Sequence, residues 1–141
     1  VSGADQPGDA PLRALVVDDS AVIRELIGVN LELEGFQVTL ACDGQEAVEL
    51  VTEAAPDVIT LDVVMPRLGG FEAVQRLRAD PRTAGIPIVI VTARAQGADL
   101  ERGEVLGVEA YLTKPFEPAE LVEVVTRLAR GGRQIPLTGD S

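Results

Sequence analysis

Arg13-Ala14-Leu15-Val16-Val17-Asp18-Asp19-Ser20 is the stretch on which the fold of this 141-residue chain turns. Four apolar residues run without polar alternation and stop at two carboxylates. Such a run reads as a short strand covered on both faces. Ser20 stands where a side-chain oxygen can cap the first turn of a following helix. Beyond it, Val22, Leu26, Val29 and Leu33 recur at helical spacing, with Ile23 and Ile27 beside them. That face is expected to be the buried one, and Gly35 to stop the helix.

The same alternation repeats along the chain. Phe36–Ala41 reads as a strand and Gly44–Ala54 as a helix with Ala47, Val48 and Val51 inward, closed by Pro56. Asp57–Leu61 is a third strand ending at Asp62. A turn over residues 65–70 leads to a helix with Phe71, Val74 and Leu77 at spacings of three, ended by Asp80-Pro81. Ile86–Val91 is a β-branched run and a buried strand. Residues 98–106 make a glycine-weakened helix, Ala110–Leu112 a short fifth strand, and Pro118 opens a last helix with Leu121, Val125 and Leu128 inward. Five βα units of this kind predict an α/β domain, a doubly wound parallel sheet of five strands with helices on both faces. The domain is expected over residues 12–130, with flexible tails at 1–11 and 131–141.

Composition narrows the chemistry. Twelve Lys+Arg against 23 Asp+Glu give a net charge of −11, from which nucleic acid and anionic membrane are expected not to be partners of this domain by itself. There is no histidine, which excludes His-based catalysis and a phosphohistidine carried in cis. One cysteine, Cys42, excludes an internal disulfide and a paired-cysteine metal site. Tryptophan is absent, so aromatic platforms for bases or flavins are scarce. The N-terminus is polar and does not resemble a signal peptide, and the apolar runs are too short to span a bilayer. A cytoplasmic location is the resulting expectation.

Open α/β sheets bind ligands beyond the carboxyl ends of their strands. There the sequence puts Asp18 and Asp19 after strand one, Asp62 after strand three, Thr92 at the end of strand four and Lys114 after strand five. Each has an ordinary explanation: a helix cap, a solvated loop acid, a β-branched strand residue, a surface charge. Their convergence on one edge is the informative feature. Lys114 is also the only lysine among the twelve cations, and a compact ammonium suits a point contact to a carboxylate or phosphoryl oxygen. Two unit charges about 4 Å apart repel by about 4 kcal/mol at an effective dielectric near 20. The carboxylates therefore call for a cation, and an all-oxygen donor set suits Mg²⁺ or Mn²⁺ rather than zinc. Such a site is built to accept a phosphoryl group, with Asp62 as nucleophile, Lys114 and metal neutralising charge and Thr92 donating a hydrogen bond.

Four motifs, Leu15-Val16-Val17-Asp18-Asp19-Ser20, Asp62-Val63-Val64-Met65-Pro66, Val91-Thr92-Ala93 and Tyr111-Leu112-Thr113-Lys114-Pro115-Phe116, in this order, resemble the receiver domain of two-component response regulators, the CheY-like family. The resemblance covers residues 12–130. It implies a flavodoxin-like strand order 2-1-3-4-5 and a phosphoacceptor Asp62 charged by a sensor histidine kinase or a phosphotransfer protein. It implies Mg²⁺ on Asp19, Asp62 and the backbone carbonyl of Val64, with Asp18 reaching it through water. Thr92 and Tyr111 are implied as a switch pair, and the Lys114–Pro115 bond as cis. A protein of this kind is not a conventional enzyme, although it takes part in its own phosphorylation and dephosphorylation. Dimerisation through the last helices is common in such proteins, so a homodimer is admitted. Val64 and Arg94 depart from the more usual pattern and imply a slowly hydrolysing aspartyl phosphate. Gly69-Gly70 replaces the more usual acidic-or-amide-then-glycine pair, which affects the turn's geometry.

Three rivals remain in view. A haloacid-dehalogenase-type phosphohydrolase places its nucleophile and acid two residues apart after strand one, whereas Asp18 and Asp19 are adjacent. A nucleotide- or flavin-binding flavodoxin-like protein needs a phosphate loop there, and two carboxylates repel phosphate. A non-phosphorylated interaction module on the same fold is opposed by the complete acceptor set. No output segment is read in these residues, which leaves open a stand-alone protein or part of a longer regulator.

Overall fold

The computed structural model describes residues 10–63, 68–93, 101 and 105–131. Its elements are β1 (Arg13–Val17), α1 (Ala21–Leu33), β2 (Gln37–Ala41), α2 (Gly44–Ala54), β3 (Val58–Leu61), α3 (Gly70–Ala79), β4 (Ile88–Thr92), β5 (Ala110–Thr113) and α4 (Pro118–Ala129). The strands form one parallel sheet in the order β2-β1-β3-β4-β5, as the resemblance implies. The expected helix at 98–106 lies for the most part outside the described residues, as do Val64, Arg94 and most of both expected tails.

Strand residues alternate between two apolar layers. Leu15, Val17, Ile59, Leu61, Ile88 and Ile90 face α2 and α3, where Ala47, Val51, Phe71, Val74 and Leu77 meet them. Ala14, Val16, Val58, Val89 and Val91 face α1 and α4, against Ile27, Leu31, Leu121, Val125 and Leu128. β1, β3 and β4 therefore read as nearly continuous apolar runs, because neither face of their centres meets water. Burying each Leu or Ile contributes about 2–3 kcal/mol.

One expectation is overturned. Val22, Leu26, Val29 and Leu33 do not form the buried face of α1; they are 75%, 41%, 52% and 78% exposed. The helix packs instead through Ile27, Gly28 and Leu31, with Ile23 partly buried. Both stripes satisfy the helical period, so periodicity could not choose between them. Gly28 helps decide it: a Cβ there would lie 3.3 Å from a methyl of Leu40, so α1 uses its glycine to lie close over β2. The rejected stripe is left as an apolar ridge on the surface.

Local signals set the element ends. Ser20 Oγ accepts from the Ile23 N–H at 3.3 Å, and Gly35, at φ +96°, turns the chain out of α1. Asp43 caps α2 by accepting from the Glu46 N–H at 2.8 Å, while Glu46 Oε1 reaches back to the Cys42 N–H at 2.7 Å. This is a variant of the reciprocal capping box. At the opposite end of the sheet, Arg78 uses all five donors. It reaches the carbonyls of Ala84, Ile86, Leu106 and Gly107 and the Glu109 carboxylate, which also accepts from the Ile88 N–H at 2.7 Å. Among the described residues no helix is long and apolar enough to cross a membrane.

Two predictions follow from these contacts. The hydroxyl of Thr60, in the middle of β3, is buried and has no hydrogen-bond partner. Thr60→Val removes that unsatisfied group at nearly constant shape and is expected to stabilise the fold by about 1 kcal/mol in urea unfolding. The hydrogen bond from the Cys42 N–H holds the Glu46 carboxyl below its usual value of 4.5, so its contribution is complete above that pH and is lost as pH falls through the depressed value. Glu46→Ala is expected to cost about 0.5 kcal/mol at pH 7. The gap to the parent protein should close in acid unfolding curves below the ordinary glutamate range.

Candidate functional site

The carboxyl ends of β1, β3, β4 and β5 bring together the residues singled out in the sequence. Asp18 and Asp62 are 1% and 6% exposed and Thr92 is buried, while Asp19 faces solvent. Parallel pairing sets this level. The Asp18 N–H donates to the Ala41 carbonyl, the Asp62 N–H to the Val17 carbonyl and the Lys114 N–H to the Thr92 carbonyl. Carboxylate oxygens of Asp18, Asp19 and Asp62 lie within 4.8 Å of one another.

Lys114 joins the cluster from the far side. Its Nζ donates to Asp18 Oδ2 at 2.8 Å and to Asp62 Oδ2 at 2.9 Å, spanning 96 and 52 residues of sequence. The Lys114–Pro115 peptide is cis, as the resemblance implies. Burial is the largest single influence on the ammonium and works to lower its pKa. The hydrogen bonds and charges of Asp18 and Asp62 together outweigh it, so Lys114 stands above its ordinary value. The other oxygen of Asp18 accepts from the Ser20 N–H at 2.9 Å, and Arg24 donates to the Asp18 carbonyl at 2.8 Å. Asp18 therefore serves both as a local turn former and as a member of the cluster.

Thr92 closes β4 opposite Thr113, and Tyr111, one turn of pleat earlier, pairs with Ile90 and packs half-buried against the α2–α3 layer. Arg24, Glu46 and two glycines went unremarked as supports of the site. The Asp43–Glu46 spacing was a legible capping signal, but nothing local marks the glycines. Gly70, the first residue of α3, packs against the end of β3: a Cβ there would sit 2.2 Å from the Asp62 carbonyl oxygen and 2.5 Å from Val63 Cα. Gly44 approaches the Leu68 carbonyl just as closely.

Three carboxylates and one ammonium leave excess negative charge in a cluster whose members Asp18 and Asp62 are buried and whose Asp19 faces solvent. The oxygen-only donor set fits a small hard divalent cation with room for water. Chemically, the pocket offers a nucleophilic carboxylate beside a fixed positive charge.

The fold and this cluster define a class: flavodoxin-like α/β domains with an acidic pocket at the sheet's carboxyl edge. The chain belongs to the response regulator receiver domain family, whose model matches residues 14–126. It is 41% identical over 124 residues to the DNA-binding dual master transcriptional regulator RpaA of Synechocystis, covering 88% of this chain and 52% of that protein. It is 38% identical over 127 residues to the phosphate regulon transcriptional regulatory protein PhoB of Pseudomonas aeruginosa, covering 87% and 56%. Among solved structures, chemotaxis protein CheY4 of Vibrio cholerae matches with a TM-score of 0.80 and 34% identity, covering 84% of this chain and 99% of that one. A receiver domain of a response regulator is a component of two-component signalling and not a classical enzyme.

The chain spans about half the length of the curated relatives it matches. That fact corrects the expectation drawn from charge. RpaA and MtrA are named as DNA-binding proteins, so an acidic receiver domain does not exclude nucleic acid as a partner. The net charge of −11 describes this stretch alone and carries no information about a segment joined to it.

Repulsion in the cluster gives a stability prediction. Asp62→Asn keeps an oxygen for Lys114 and removes one of three negative charges. In metal-free buffer it is expected to raise the thermal midpoint by several degrees, equivalent to about 1 kcal/mol. Differential scanning calorimetry in EDTA measures it, and a lowered midpoint would contradict the charge argument.

Proposed function

We propose that the domain is a phosphorylation switch in which Asp62 accepts a phosphoryl group from a phosphohistidine on a sensor histidine kinase or phosphotransfer protein. The observation that carries the reading is the Lys114 ammonium at 2.8 Å from Asp18 and 2.9 Å from Asp62, beside three converging carboxylates. An Asp62 oxygen supplies the electron pair for a new P–O bond. The P–N bond breaks, and its pair stays on the leaving imidazole, which takes a proton from water. Lys114 is already paired with the nucleophile and neutralises charge that gathers on the phosphoryl oxygens.

Asp19 and Asp62 would hold Mg²⁺ or Mn²⁺, with Asp18 reaching it through water and the resemblance adding the Val64 carbonyl. A bound ion would supply positive charge to offset the carboxylates and the incoming phosphoryl group. The Thr92 hydroxyl donates a hydrogen bond to a phosphoryl oxygen, and Tyr111 reports the change through β5. The exposed ridge Val22, Leu26, Val29 and Leu33 starts beside Asp18-Asp19-Ser20, which makes it the natural seat for the donor protein. In the proteins named as DNA-binding regulators the counterpart of this chain is about half the molecule. By that likeness, phosphorylation here governs an attached nucleic-acid-binding segment.

Incubation with acetyl phosphate and Mg²⁺ is expected to add one phosphoryl mass, and Asp62→Ala or EDTA to abolish it. Tyr111 is the only tyrosine and tryptophan is absent, so tyrosine emission reads β5 without interference and should change in step with the mass. Leu26→Glu should slow transfer from a phosphohistidine donor and leave acetyl phosphate uptake unchanged. Absence of any mass gain, or a gain that survives Asp62→Ala, would return the domain to an unphosphorylated interaction module.

A further inference from the structure

Asp62 sits at the end of a strand whose continuation is held from two sides by backbone packed on backbone. The Gly70 N–H donates to the Val63 carbonyl at 3.2 Å, and the place of a Gly70 Cβ is filled by the Asp62 carbonyl and Val63 Cα. One layer further out, the Gly44 N–H donates to the Leu68 carbonyl at 3.1 Å. A Cβ on Gly44 would lie 2.3 Å from that oxygen and 3.1 Å from the Gly69 oxygen. Gly44 lies in the first turn of α2 outside the left-handed region, so its backbone conformation does not demand glycine; the proximity of Leu68 does. The first turn of α2 is itself fixed. Asp43, buried, caps it, Glu46 ties it back to Cys42, and Ala41 just before accepts from the Asp18 N–H. A stack of main-chain contacts thus runs from the Asp18 strand through α2 and Leu68-Gly69 to Gly70 and Asp62.

We infer that Gly44 is a positioning residue for Asp62, setting the acceptor carboxylate's place against Asp18 and Lys114 and so the cluster's affinity for a divalent cation. The inference rests on reading the cluster as a Mg²⁺ site. A methyl group on Gly44 forces the Leu68 carbonyl to retreat beyond 3.0 Å. Gly70 has no slack toward Asp62, so the displacement reaches the acceptor. Gly69 gives the contrast. The nearest obstacle to a Cβ there is Glu72 Oε1 at 2.6 Å, the end of a flexible side chain that can swing away.

The test is calorimetric titration of the full chain with Mg²⁺, with a thermal midpoint recorded for each variant. Gly44→Ala is expected to weaken Mg²⁺ binding about tenfold, and Gly69→Ala to stay within about twofold of the parent. A purely structural role would lower the midpoint of Gly44→Ala and leave the affinity of the folded protein unchanged. That result, or an equal loss in Gly69→Ala, overturns the inference while leaving the phosphorylation reading intact. Should Gly44→Ala fail to fold, Asp43→Ala loosens the same turn without adding an atom. It is expected to weaken binding several-fold, and unchanged affinity there overturns the inference too. If the parent chain takes up no Mg²⁺, this inference and the cation part of the proposed function both fall.

Discussion

Everything at the carboxyl edge of the sheet answers to one electrostatic constraint: three carboxylates share a pocket with a single ammonium. Two like charges about 4 Å apart at an effective dielectric near 20 cost about 4 kcal/mol, a large fraction of the total stability of a domain this size. Lys114 offsets part of that cost by bridging Asp18 and Asp62. The remainder is stored as an appetite for positive charge or for a group that brings some. A fold holding such a site must keep the carboxylates from drifting apart, and side-chain contacts alone would not do it. Backbone hydrogen bonds of the parallel ladder, and glycines that let main chains touch, provide the rigidity.

The unequal faces of α1 show how the fold serves the site. The helix begins right after the paired acids, so its orientation is bound to theirs through Ser20 and Arg24. Packing through Ile27, Gly28 and Leu31 leaves an apolar ridge leading away from the pocket. Exposed apolar surface of this kind is a liability for an isolated domain, and under the proposed phosphotransfer the ridge is where the donor would sit.

The sheet and its contents were legible because strands covered on both faces leave nearly continuous apolar runs, interrupted within β1, β3 and β4 only by Arg13 and Thr92 at their ends and by the buried Thr60. The pocket was legible for a related reason: Asp18, Asp19, Asp62, Thr92 and Lys114 each follow directly on such a run. The buried side of α1 was not legible, since Val22-Leu26-Val29-Leu33 and Ile23-Ile27-Leu31 obey the same period. What separates them is where Gly28 meets β2, a tertiary fact. Gly44 and Gly70 stayed hidden likewise, because each owes its identity to an atom remote or turned back along the chain. Charge misled about nucleic acid because it was summed over one stretch and applied to partners that a neighbouring stretch can supply.

The two edges of the sheet are fastened differently. At the amino edge the Arg78 guanidinium gathers four carbonyls and Glu109 into a rivet, joining α3 to the starts of β4 and β5. At the carboxyl edge the same two strands end in Thr92 and Thr113, next to Lys114 and the carboxylates it pairs with. A disturbance entering there cannot be relieved by sliding β5 bodily along β4, because the far end is nailed down. The register of the strand that carries Tyr111 is thus held from the underside of the molecule.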